Sequence, residues 1–170
     1  MLLLSGVEAR PGPTAPIVRQ CVDLAGEEGV TACQHALAAG LPTARATALR
    51  WILAEKLAGL KRWEDVVDAY RDAVQVQPGD PEAQRRLGRA LLHLVGRPAE
   101  AVEPLQEAIR LQPGDASAHA DLGVALAALG RLADAVEAFD EAARIDPGYL
   151  GAHPAAQATY QAARRGESWP

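Results

Sequence analysis

The chain has 170 residues, the length of one domain, and a formal net charge of -5 from 17 basic and 22 acidic side chains. That balance argues against a general nucleic-acid or anionic-membrane surface, and no apolar run reaches the length that crosses a bilayer. Hydrophobic residues make up 49% but aromatics only 4%, so the core must be aliphatic and Ala-rich, built from many small contacts rather than a few large anchors.

The first stretch, Met1 to Ala9, carries a short apolar run followed by a small residue. It resembles the tail of an export signal without the basic start, so an ordinary terminus and a truncated signal both stay open. Pro11, Pro13 and Pro16 around Gly12 exclude a helix and extend a flexible arm over residues 1–16. From Ile17 to Ala25, Val18, Cys21, Val22 and Ala25 share one side and predict a short helix, which Gly26-Glu27-Glu28-Gly29 breaks. A second helix is expected from about Val30 to Ala39, capped by Thr31 and stopped at Gly40 before Pro42. This is a degenerate pair over 17–41, as befits a terminal unit with no neighbour on one side.

Three clearer units follow at about 47–80, 81–115 and 116–149. The first has Leu53, Leu57 and Leu60, a turn at Lys61-Arg62, then Trp63, Val66, Tyr70, Ala73 and Val76 before Pro78. The second has Leu87, Gly88, Leu91 and Leu94, a turn at Gly96-Arg97, then Ala101, Leu105, Ala108, Leu111 and Pro113. The third has Leu122, Gly123, Leu126, Leu129 and Gly130, then Ala135, Phe139, Ala142, Ile145 and Pro147. Each is two amphipathic helices, and a period near 34 residues denotes stacked helix pairs. Leu53 to Leu87 is 34 residues and Leu87 to Leu122 is 35, while Gly96 to Gly130 is again 34. The extra residue therefore sits just before the middle turn, most simply at Val95. Gly88 and Gly123 stand where a larger side chain would force helix axes apart, with Tyr70, Leu105 and Phe139 filling the space around such contacts. Pro98 suits a first helical turn, whereas Pro104 predicts a bend, or alternatively a helix that restarts there. A last helix from Ala152 to about Arg165, with Ala156, Tyr160 and Ala163 on one face, would cover the end of the stack and leave a tail over 166–170. The expected total is nine helices.

The spacing of Leu-Gly, a turn glycine, Ala, an aromatic or Leu, Ala and Pro resembles the tetratricopeptide repeat (TPR) family. The unit ending at Pro147 matches best; the unit ending at Pro78 lacks the turn glycine and has Ala54 for the helix glycine. Arg50, Gln84 and His119 stand where the family carries Trp. The resemblance implies an all-α, right-handed superhelix of stacked antiparallel helix pairs with a C-terminal capping helix. It also implies that the first helix of each unit lines a concave groove for a peptide or a partner's helix. Carried over by position, the groove presents Ala48, Trp51, Glu55 and Ala58, then Glu82, Arg85, Arg89, Leu92 and His93, then Ser117, Ala120, Val124, Ala127 and Ala128.

Arg85, Arg89 and His93 are each four residues apart and share a helical face, a positive stripe in an acidic chain. Two readings stay open: the stripe takes an acidic or carboxylate-bearing peptide, or the arginines are solvated or pair with Glu82 and Glu55. The family's Lys/Arg-with-Asn carboxylate clamp is in doubt because the chain contains no Asn. Trp51 is expected to be partly covered by the N-terminal pair, and Trp63 to be a packing residue. Trp169 carries no signal.

Cys21 and Cys33 flank the Gly26–Gly29 turn and would face each other across a hairpin. A bridge pinning a weak terminal pair in an exported protein and two small core residues in a reducing cytoplasm are both open. The cytoplasm is favoured unless the N-terminus is a truncated signal and the bridge forms. The four histidines lie in different elements, and no zinc spacing, phosphate loop, HExxH or serine-hydrolase motif is present. No catalytic residue, metal or cofactor is expected. The expected function is a non-catalytic adaptor for a protein or peptide partner; the alternative is a structural module that self-associates through repeat ends or its convex surface.

Overall fold

The computed structural model describes residues 15–167, so the export-signal reading, nearly all of the arm and Trp169 lie outside the described residues. Prolines and glycines punctuate those residues into ten helices: α1 (Ala15–Asp23), α2 (Gly26–Ala38), α3 (Thr43–Gly59), α4 (Trp63–Val76), α5 (Pro81–His93), α6 (Pro98–Leu111), α7 (Ala116–Ala128), α8 (Leu132–Ile145), α9 (Tyr149–Ala152) and α10 (Pro154–Arg164). Each helix packs on the next from α1 to α8, α5 also touches α7, and α10 lies against α7 and α8. The result is an all-α solenoid of antiparallel pairs, with α10 closing one end.

Sequence register explains the stacking. A Cβ on Gly88 would stand 2.5 Å from Leu105 Cγ, and one on Gly123 would stand 2.9 Å from the Phe139 ring. Leu105 and Phe139 are fully buried, so these glycines let first and second helices approach around them. The α3–α4, α5–α6 and α7–α8 turns share one device: a residue at positive φ followed by an amide that donates back into the first helix. Arg62 N bonds Leu57 O at 3.0 Å and Arg131 N bonds Leu126 O at 2.9 Å, whereas Arg97 N reaches Leu91 O, six residues back, at 2.7 Å. The extra residue of the middle unit is absorbed in that loop, and the packed faces keep their register. Gly96 and Gly130 take the left-handed position in two of the turns; in the first it falls to Lys61, at φ 58.

Asp80 and Asp115 cap α5 and α7, accepting from Glu82 N at 3.0 Å and Ser117 N at 2.9 Å. Gln84 and His119 each bond the carbonyl of the proline six residues back, Pro78 at 3.2 Å and Pro113 at 3.0 Å, tying the start of the first helix to the end of the previous unit.

Several expectations are corrected. The final segment is two helices rather than one, because His153 leaves helical geometry at φ -123 and Pro154, which needs no amide partner, begins α10. The count is therefore ten among the described residues. Gly26–Gly29 is the first turn of α2 rather than a break, with Glu27 and Glu28 at the helix end that favours negative charge. Thr31 sits inside α2 and donates to Glu27 O at 2.9 Å instead of capping. At the other end of the stack, α1 begins at Ala15 because Pro16 is tolerated in a first turn. The helix α6 runs unbroken through Pro104, leaving Glu100 O without its helical donor, and neighbours on both sides hold it. Trp63 is exposed at the start of α4, where no preceding turn covers it.

The hairpin of α1 and α2 is closed by a disulfide between Cys21 and Cys33, whose Cα atoms are 4.4 Å apart and whose side chains are fully buried. Lys56 Nζ from α3 donates to the Val22 and Leu24 carbonyls at the end of α1. A Cβ on Gly29 would meet Leu24 O at 2.4 Å, so the close approach of the two short helices depends on that glycine.

Candidate binding groove

A densely charged surface is built on one face of α5. Asp80 and Pro81 start the helix, which then carries Glu82, Arg85, Arg86, Arg89 and His93 over three turns. Arg85 and Glu82 form a close ion pair at 2.6 Å, and Arg86 Nε reaches the other Glu82 oxygen at 2.7 Å. Burial pushes the Glu82 carboxyl upward, but hydrogen bonds and charge from Arg85 and Arg86 outweigh it and hold the pKa below the usual carboxylate range. Burial likewise works against the charge on Arg86, and the hydrogen bonds it donates to Tyr70 and Glu82 more than offset it, so its pKa is raised.

Arg85 also crosses to α7. It lies 3.3 Å from Asp115 Oδ2 and donates to Ser117 Oγ at 3.2 Å, and Tyr149 OH donates to the same hydroxyl. Its side chain is only 15% exposed. One turn along, Arg89 Nε stands 3.5 Å from Asp121 Oδ2, and His93 Nε2 stands 3.7 Å from Asp121 Oδ1. Arg89 and His93 are 53% and 46% exposed. Beside them opens a cavity of about 290 Å³ lined by Tyr70, Glu82, Arg85, Arg86, Arg89, Ala90, His93 and Leu94.

Of the residues carried over by position, Arg85, Arg89 and His93 come together at this opening. Trp51 is half-buried, and the Arg86 guanidinium of the following unit lies over its ring at 4.9 Å. Glu55 is exposed and forms no ion pair among the described residues, so the arginines pair with Glu82, Asp115 and Asp121 instead. Leu92, Ala120, Val124 and Ala127 are corrected from groove lining to packing surface: all four are buried. For the three on α7 the cause is that this helix is enclosed by α5, α6, α8 and α10, so nearly its whole circumference must be apolar; Leu92, on α5, is part of the main apolar core.

Asp115, Asp121 and Arg86 were not singled out by sequence reasoning, and Tyr70 was read only as a packing residue. Asp121 did carry a signal, as the one carboxylate in the largely apolar α7. Among the described residues no group of three or more His, Cys, Asp or Glu side chains is placed to hold a metal ion, and no helix is long and apolar enough to cross a membrane.

Solved structures share this architecture. The crystal structure of YrrB, a TPR protein with an unusual peptide-binding site, has 25% identity and a TM-score of 0.65, covering 79% of this chain and 66% of that one. This chain thus spans just under two thirds of YrrB's length. The MamA protein is similar at 22% identity and a TM-score of 0.69, over 82% of this chain and 72% of that one. The TPR2B domain of yeast Sti1, in complex with pHsp70, is similar at 21% identity and a TM-score of 0.61, over 70% of this chain and 96% of that one. None of the curated proteins matches the chain. The sequence model of the tetratricopeptide repeat family matches residues 53–116 and 95–149, together more than half of the chain. With the helix-pair solenoid and the repeated Leu, Gly, Ala and Pro positions, this shows that the chain belongs to the tetratricopeptide repeat family.

Proposed function

We propose that this chain is a non-catalytic adaptor that holds a peptide, or an extended segment of a partner protein, against the polar face of α5. The observation that carries the reading is the division of labour along that face. Arg85 and Arg86 are bonded to Glu82, Asp115, Ser117 and the Trp51 ring, whereas Arg89 and His93 remain half-exposed beside a cavity of about 290 Å³. A guanidinium and an imidazole one turn apart suit a carboxylate, while Ala90, Leu94 and the Tyr70 ring offer apolar contact to the same ligand. The likeness to YrrB, a TPR protein with a peptide-binding site, supports the class of ligand. Packing of α10 on α7 and α8 of its own chain covers that end of the stack and favours peptide binding over end-to-end assembly.

The test is a titration of an acidic peptide followed by fluorescence anisotropy, with Arg89→Ala compared with the unchanged chain. Loss of one exposed charge-assisted contact should weaken binding about tenfold, or about 1.4 kcal/mol, at unchanged helicity. Equal affinity for both proteins would remove Arg89, and with it this groove, from the account.

A further inference from the structure

Asp121 is nearly buried on α7, 8% exposed, and its Oδ2 accepts no hydrogen bond among the described residues. A carboxylate in that position is costly unless charge compensates it. Among the described residues the compensation comes from α5 alone: Arg89 at 3.5 Å and His93 at 3.7 Å, both beyond good hydrogen-bond geometry and both half-exposed. The surrounding charges are closely matched. Arg85, Arg86 and Arg89 face Glu82, Asp115 and Asp121; α4 adds Tyr70 to the cavity, and α6 adds no titratable side chain. While the imidazole is neutral, the groove has no cation to spare, and a ligand carboxylate must displace one that the protein itself supplies. Once His93 takes a proton, Asp121 has two cations and the groove holds one positive charge in surplus.

We infer that Asp121 is an internal competitor for the groove's cations, and that proton uptake by His93 relieves the competition, so that the groove takes a carboxylate-bearing peptide preferentially at mildly acid pH. The inference rests on the peptide-groove reading above and adds its regulation. Histidine is the side chain suited to such a change near neutrality, and peptide carboxylates stay ionised there.

The test uses the full chain and two peptides. One bears Glu side chains and an amidated C-terminus; the other has neutral side chains and a free C-terminal carboxylate. Each is titrated at about pH 8 and about pH 6 at constant ionic strength. Affinity for at least one peptide should rise about fivefold or more at the lower pH, and the peptide that shows the rise identifies the source of the carboxylate. His93→Gln should bind weakly at both pH values. Asp121→Asn should bind at pH 8 at least as tightly as the unchanged chain does at pH 6, because Arg89 is released. Calorimetry in buffers of different ionisation enthalpy should show net proton uptake on binding near pH 7, a readout that does not require the Asp121 variant to fold. Binding that is equally tight at both pH values, a His93→Gln protein that keeps the full rise, or an absence of proton uptake would overturn the inference and leave the groove reading standing. Failure of both peptides to bind at either pH would overturn both.

Discussion

The helices α5 and α7 occupy the same place in successive units, yet they do opposite work. Both begin at an aspartate cap, both carry a Leu-Gly pair, and both pack the glycine against a large side chain of the following helix. Arg85 stands where Ala120 stands one unit on, and Arg89 where Val124 stands. The helix α5 presents arginines to an open cavity; α7, enclosed by four helices, presents alanine and valine to its neighbours. Backbone register repeats along a solenoid, but the character of each position depends on what lies over it. A position that lines a groove in one unit is core in the next.

Exchanging the two characters is the most direct way to break this comparison. Val124→Arg would place an unpaired charge at a buried site and should destabilise the fold by about 3–5 kcal/mol, seen as a large drop in the urea midpoint. If α7 were a ligand surface, the same substitution would be tolerated.

The N-terminal pair sharpens the contrast, since it adds a covalent link to its packing on α3. Cys21→Ser with Cys33→Ser opens a short loop and should cost about 2–3 kcal/mol. Hydrogen exchange should accelerate in α1 and α2 while α5 and α7 stay protected; uniform acceleration would mean that the pair holds the whole stack. Arg85→Ala tests the structural share of the α5 arginines. Its side chain is mostly buried and bonds Glu82 and Ser117, so its loss should cost about 1–2 kcal/mol in thermal unfolding. The smallest expected effect is a gain. Lys61 holds a left-handed conformation that glycine adopts freely, so Lys61→Gly should raise stability by about 1 kcal/mol, measurable as a higher melting temperature.

Much of the architecture was legible from residue spacing. The Leu-Gly pairs, the prolines that end second helices and the additional residue in the middle unit all act within a few residues of themselves, and local sequence carries such signals. The groove was legible only in part. Arg85, Arg89 and His93 were identifiable by their four-residue spacing, but the carboxylates that match the arginines, Asp115 and Asp121, sit a whole unit later. No local pattern joins them. Ala120, Val124 and Ala127 read as a small apolar lining because α10, which helps bury α7, follows some thirty residues further on. In the turn at Gly26–Gly29, glycine content suggested a break, yet close approach between α1 and α2 required a glycine inside a helix.

By itself the sequence determined that this protein is a stack of helix pairs, where the three full units turn, and which faces are apolar, because helix periodicity and turn chemistry are short-range properties. Only the tertiary structure decided which of the equivalent positions remain open to a ligand, which arginines are already engaged, and that the two cysteines meet. Those outcomes depend on contacts between units, where burial and charge are set by residues distant in the chain.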